Sequence, residues 1–187
     1  MNIGFALCGS FCTFSQVFPI MEELAAYHTV IPIFSNISYT TDTRFGLAED
    51  HIQRTIAICG RPPIHTIADA EPIGPLKLLD ILIVAPCTGN TLAKLAHSIA
   101  DTPVTMAVKS HLRNARPVLI AISTNDALAG AAENIGKLMG KKHYYFVPFR
   151  QDAPDGKPTS MIADFVAIPA ALDAAITGKQ IQPMILT

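Results

Sequence analysis

The sequence predicts an α/β fold, a parallel sheet with helices covering both of its faces. Two observations carry that expectation. Runs of strand length, such as Ile81-Leu-Ile-Val-Ala85 and Val118-Leu-Ile-Ala-Ile122, are continuously apolar instead of alternating, as strands buried on both faces must be. Segments of helical period stand between them, so strand and helix alternate along the chain. A third observation sets the scale. The 187 residues suffice to bury a core in one domain, 1–187, and no repeat, low-complexity segment or linker divides them.

The elements follow in order. Asn2-Ile-Gly-Phe-Ala-Leu-Cys8 reads as the first strand, followed by Gly9-Ser10 and a helix through about Tyr27. Thr29-Val-Ile-Pro-Ile-Phe34 is the second strand, ending at Ser35. Helical pattern returns across Thr43–Cys59 until Arg61-Pro-Pro63 breaks it, and a weak strand is expected at Ile64–Ile67. Pro86 is expected to end the strand that begins at Asp80, because proline has no N–H for a ladder. Thr88 or Asn90 can cap the next helix, on which Leu92, Leu95, Ala96 and Ile99 share an apolar face. Arg116–Ile122 is another buried strand, ending at Ser123-Thr124-Asn125; Ala127–Met139 is helical, and Tyr144–Val147 is the last strand expected. Gln151–Ser160 reads as a polar loop and Ile168–Thr177 as a terminal helix. The resulting architecture is a three-layer, Rossmann-like parallel sheet.

Composition excludes several classes. With 14 basic and 15 acidic residues the net charge is −1, so no nucleic-acid partner is expected. No run reaches the ~20 apolar residues of a membrane span, so no membrane partner is expected. The first residues lack the basic region of a secretory signal, and a cytoplasmic protein is expected. Half the residues are hydrophobic and 16% are charged, an excess of apolar surface that suits a subunit interface. Cys8, Cys12, Cys59 and Cys87 match no zinc spacing and read as small buried side chains.

Four strand ends carry small polar residues: Gly9-Ser10, Ser35, Thr88-Gly89-Asn90 and Ser123-Thr124-Asn125. Parallel topology places all four at one edge of the sheet, where helices begin and anions bind. Hydroxyls and amides without clustered positive charge suit one phosphate and a polar heterocycle. The first turn, Cys8-Gly-Ser-Phe-Cys12, lacks the G-x-G-x-x-G spacing of dinucleotide sites. A mononucleotide fits better.

The Gly9-Ser10 turn, Ser35 and the Ala85-Pro-x-Thr-x-Asn-Thr-x-x-Lys94 stretch resemble the flavoprotein family of flavin-containing cysteine decarboxylases and flavin prenyltransferases. Five segments place the resemblance in one branch, from spore-forming bacteria: Thr40–Gly46, Ala70–Pro75, Leu112–Pro117, Ile122–Leu128 and Tyr145–Pro154. The resemblance implies an FMN site in which Gly9, Ser10 and Ser35 hold the phosphate, beside Phe11. It implies that Pro86, Thr88, Asn90 and Thr91 line the ribityl and ring region, and that Ser123, Thr124 and Asn125 close over the ring. It further implies oxidation of dihydrodipicolinate to dipicolinate in sporulation, together with a separate A subunit that binds NADP, and a homo-oligomer such as a trimer or dodecamer. One departure stands out. The family's decarboxylases carry a Pro-x-Met-Asn-x-x-Met segment where this chain has Ser123-Thr-Asn-Asp-Ala-Leu128, so the cysteine clamp is missing. The alternatives are an independent decarboxylase or prenyltransferase and a non-catalytic, stabilising subunit.

A small dicarboxylate substrate calls for fixed cations, and arginine forks suit carboxylates. Arg44 follows the second strand in a polar segment; Lys109, Arg113 and Arg150 are further candidates. His51 lies seven residues after Arg44, on nearly the same face of the expected helix, as a candidate proton donor.

Overall fold

The computed structural model describes residues 1–187 as a mixed α/β fold, a central sheet with flanking helices. β1 (Asn2–Leu7), β2 (Thr29–Phe34), β3 (Ile81–Cys87), β4 (Val118–Thr124) and β5 (Tyr144–Phe146) pair in parallel in the order β2-β1-β3-β4-β5. Every residue of β3 is buried, as is β4 from Val118 to Ile122, which is why both are continuously apolar. α1 (Phe14–Tyr27) and α8 (Ile168–Ile176) touch on one side of the sheet; α5 (Gly89–Ala96), α6 (Pro103–Leu112) and α7 (Ala132–Met139) pack together on the other.

The sheet is not purely parallel. β6 (Phe149–Gln151) and β7 (Met161–Ala163) form an antiparallel pair, and β7 adds to the end of β4 at Ser123 and Thr124, beyond where β5 stops. Tyr144–Phe146 is therefore not the last strand. Each added strand has three residues, too few to display a period. Pro86 does not end β3 either. The strand runs on to Cys87, and the ladder steps from Val84↔Ile120 to Cys87↔Ile122, one extra residue on β3. A bulge absorbs the missing N–H of Pro86.

Other expectations also shift. Residues Thr43–Leu47 are not helical; Thr43 and Gly46 exchange backbone hydrogen bonds, and α3 (Ala48–Cys59) starts where the Asp42 carboxylate accepts from Ala48 N. Arg44 and His51 therefore share no helix. The expected strand at Ile64–Ile67 is one bridge, Ile33↔Ile64, and Ile67 opens α4 (Ile67–Ala70) behind a Thr66 cap. Ile99 lies beyond α5 and is exposed, and α7 begins five residues later than expected, after turns around Asp126. Besides α4, two helices were not anticipated, α2 (Asn36–Thr40) and α6. Both carry a local signal: Ser35 caps α2 by accepting from Ser38 N, and Thr102 with Thr105 forms a capping box ahead of Pro103.

Candidate functional site

β1, β3 and β4 end side by side because they are parallel neighbours, so three turns that are distant in sequence meet. Ser10 Oγ lies 2.7 Å from Ser123 Oγ across 113 residues of chain. Around that contact is a hollow of about 350 Å³ with Gly9, Phe11, Thr88, Thr124 and Asn125 on its inner wall. The Thr43–Gly46 turn closes one rim through Thr43 and Phe45, and the segment after β6 closes the other through Asp152, Lys157 and Ser160. An adjoining hollow of about 270 Å³ shares Gly9 and Thr88 with the first and is walled by Ser35, Asn90 and Thr91. Each hollow is of the size of small-molecule sites or just below it, and together they form a two-chambered cleft.

Local chemistry shapes these walls. The Thr88 hydroxyl accepts from Thr91 N at 3.4 Å, capping α5, and leaves the first N–H groups of that helix without intrahelical acceptors. Ser35 caps α2 in the same way and lies 2.9 Å from Ser38 Oγ. Two helix starts therefore flank the smaller chamber, a setting that favours an anion. Gly89 has a steric reason. A Cβ there would come within 2.7 Å of Asp126 Oδ1 and 2.8 Å of Thr124 Oγ1, so the β3–α5 turn can lie against the end of β4 only without a side chain.

The electrostatics are mild. Burial pushes the Cys8 thiol up to about 11, against hydrogen bonds with Thr91 and Thr88 that act the other way. Burial, and then Cys8 beside it, raises the Cys87 thiol well above its ordinary value. Both stay neutral and are packing groups rather than nucleophiles. Burial also pushes the Asp152 carboxyl up, but hydrogen bonds from Ser160 and Lys157 outweigh it and hold its pKa below the usual range. Lys157 Nζ sits 3.3 Å from that carboxylate.

The expected residues divide into three groups. Gly9, Ser10, Phe11, Thr88, Ser123, Thr124 and Asn125 converge on the larger chamber, and Ser35, Asn90 and Thr91 on the smaller. Pro86 lines neither; it is buried in β3, one bulge behind Thr88. Arg44 is exposed on the rim turn, its guanidinium 4.8 Å above the Phe45 ring, while Phe45 itself faces the chamber. His51 does not reach the chamber. Its ring packs edge-on to Phe14 (4.9 Å) and over Phe18 (5.8 Å), and Gly46 rests on it so closely that a Cβ would lie 2.8 Å from Cε1. Burial lowers its pKa, and Nε2 is buried without a partner.

Phe45, Asp152, Lys157 and Ser160 were missed by sequence reasoning. Their signal was present but indirect: Thr40–Gly46 and the polar segment from Gln151 were noted, yet nothing local shows that both fold over the strand ends. Lys109 on α6 and Arg113 just past its end line a different pocket, and Arg150 lies exposed in β6.

Known proteins resemble this chain along nearly its whole length. The Flavoprotein family model matches residues 1–144. The chain is 41% identical over 186 residues to the dipicolinate synthase B subunit of Bacillus subtilis (strain 168), covering 99% of this chain and 93% of that one. The crystal structure of the dipicolinate synthase B subunit from Bacillus halodurans C superposes with a TM-score of 0.91 at 42% identity, over 100% of this chain and 96% of that one. The FMN-dependent cysteine decarboxylase SpaF shares the fold, with a TM-score of 0.68 at 23% identity over 94% of this chain and 97% of that one. The chain belongs to the Flavoprotein family.

Proposed function

We propose that this flavoprotein is the FMN-binding B subunit of a dipicolinate synthase, oxidising dihydrodipicolinate to dipicolinate in sporulation together with the dipicolinate synthase A subunit. The observation that carries the reading is the convergence of Ser10, Thr88 and Ser123 on one two-chambered cleft, in a chain 41% identical to a B subunit of dipicolinate synthase. The donor set suits FMN: hydroxyls and helix-start N–H groups for a phosphate, further hydroxyls for a ribityl chain, and Phe11 and Phe45 beside a ring. We read residues 1–187 as one three-layer, Rossmann-like domain of a cytoplasmic homo-oligomer, a trimer or dodecamer.

In this reading Ser35 and the first N–H groups of α2 and α5 hold the phosphate, with Gly9 allowing close approach. Thr88, Asn90 and Thr91 bind the ribityl hydroxyls, and Ser10, Ser123, Thr124 and Asn125 orient the ring edge. FMN supplies a two-electron acceptor when bound, and NADP carried by the A subunit is the other acceptor available. Arg44, at the rim, grips a substrate carboxylate with its two-pronged fork. His51 supports that grip from below by fixing the Gly46 turn, a positioning role in place of proton transfer.

Two measurements test the proposal. FMN titration by fluorescence quenching should show binding that Gly9→Val abolishes; at Gly9 a Cβ comes close only to the half-exposed Ile37 side chain, which can shift (Cγ2 at 3.0 Å), with Phe11 Cε2 at an ordinary contact of 3.6 Å, so the fold survives. Dihydrodipicolinate oxidation should appear when both proteins are combined and be absent from this chain alone. If the A subunit alone were as active as the pair, this chain would be a stabilising subunit.

A further inference from the structure

The C-terminal end of α5 borders a second pocket, of about 320 Å³, separate from the flavin cleft. Leu95, Val108 and Leu112 make an apolar floor, and Tyr144 stands at one side. Lys109, in the last turn of α6, and Arg113, the residue that ends it, are one turn apart and stand on its rim. Neither is paired: the four salt bridges of the chain use Lys94, Arg116, Lys137 and Lys157. Like charges four residues apart repel. Their position at the end of α6 offsets part of that through the helix dipole, and an anion between them would relieve the rest. Burial pushes the Tyr144 hydroxyl up to about 12, so it remains a proton donor, and no hydrogen bond within the protein occupies it.

The wall between floor and rim is built in advance. Ser98 adopts φ 59 as the left-handed residue of the C-cap that ends α5, its N–H donating to Leu95 O at 3.2 Å. Ile99 N donates to Lys94 O at 2.8 Å, and Lys94 Nζ holds Asp101 at 2.7 Å. Lys141 Nζ donates to the carbonyls of Leu95 (3.2 Å) and Ala96 (2.8 Å), closing the end of α5. The turn over residues 97–101 is therefore fixed at both ends, so the wall of the pocket is held in one position.

We propose that this pocket binds a small aromatic carboxylate, its ring on Leu95, Val108 and Leu112 and its carboxylate between Lys109 and Arg113. The apolar floor excludes a fully hydrated anion such as phosphate, and the unpaired cations select against a neutral ring. A concave hollow of this size suits a small molecule better than a flat protein face.

The test uses the full chain with FMN at saturation, so that the strand-end cleft is filled, and benzoate as the probe. Neutral benzamide and inorganic phosphate serve as controls, followed by saturation-transfer NMR and titration. Benzoate should bind, and benzamide and phosphate should bind at least about tenfold more weakly. The Lys109→Ala/Arg113→Ala variant, whose changes are both on the surface, should melt as the parent does and lose benzoate affinity by about tenfold or more. Three outcomes would overturn the assignment: no detectable benzoate binding, equal binding by benzamide, or equal binding of benzoate to the double variant. A fourth is self-association through this face, seen as a sedimentation change in the double variant that benzoate does not reproduce.

Discussion

The two ends of α5 present positive potential by opposite means. At the N-terminal end Thr88, Asn90 and Thr91 share a chamber with Ser35, and the one cation that lines the cleft, Lys157, is engaged by Asp152. The backbone supplies the positive potential there, through free N–H groups and the helix dipole. At the C-terminal end the carbonyls of Leu95 and Ala96 are already occupied by Lys141, and the potential comes from Lys109 and Arg113 on the next helix. A site built on N–H groups is fixed by the fold and yields mainly to substitutions that block approach to the backbone, as at Gly9. A site built on long side chains is tuned residue by residue.

Four changes would break or sharpen that contrast. The largest involves His111, which is fully buried on α6 and whose pKa burial lowers to about 4, helped by Arg116 and opposed by the Pro117 carbonyl that its Nε2–H reaches at 3.0 Å. Because the folded pKa lies below the unfolded one, stability is full above about 6.5 and falls as pH drops toward about 4. The full loss should be roughly 3 kcal/mol. His111→Gln should flatten this dependence in chemical denaturation between those pH values; an unchanged slope would remove His111 as its source.

Arg44 comes next, on the other side of the comparison. Arg44→Lys should weaken dipicolinate binding by about 2 kcal/mol, since an ammonium lacks the fork, with FMN affinity unchanged. Calorimetric titration with each ligand separates the two, and equal dipicolinate affinity would return Arg44 to the solvent. Thr102→Ala removes the box that starts α6 and should lower stability by about 1 kcal/mol, read as a shift in denaturant midpoint. Benzoate binding should weaken with it, and so should FMN binding, because Thr102 also lines the smaller chamber. Ser98→Gly is the smallest change: it relieves the left-handed backbone at φ 59, but it also loosens the unfolded chain, so stability should move by less than about 1 kcal/mol. Benzoate affinity should fall slightly as the wall becomes mobile.

Much of the site was legible because strand ends are locally encoded. Gly9-Ser10, Thr88 and Ser123–Asn125 each follow an apolar run whose burial fixes its place in the sheet, so the turn after it is placed as well. The rim was not legible. Thr43–Gly46 carries helical spacing on paper, yet Asp42 takes the N–H of Ala48 and Gly46 settles on the His51 ring at φ 138; a cap and a contact override the periodicity. Lys157 belongs to a segment whose position depends on β6 and β7, and β7 pairs with the end of β4 that β5, stopping short, leaves open. α6 was legible and was overlooked: Thr102-Pro103 followed by Thr105 is a helix start.

By itself the sequence determined what short-range chemistry decides. Continuous apolar runs specify doubly covered strands, and hydroxyls at Ser35, Thr66, Thr88 and Thr102 specify helix starts, because each rests on groups within a few residues. Tertiary structure alone decided which distant groups meet: Ser10 with Ser123, Gly46 with His51, Gly89 with Asp126. The drive that brings them together is burial of apolar surface, which is non-directional. Its partners are chosen by how whole layers pack, and no window of neighbouring residues carries that choice.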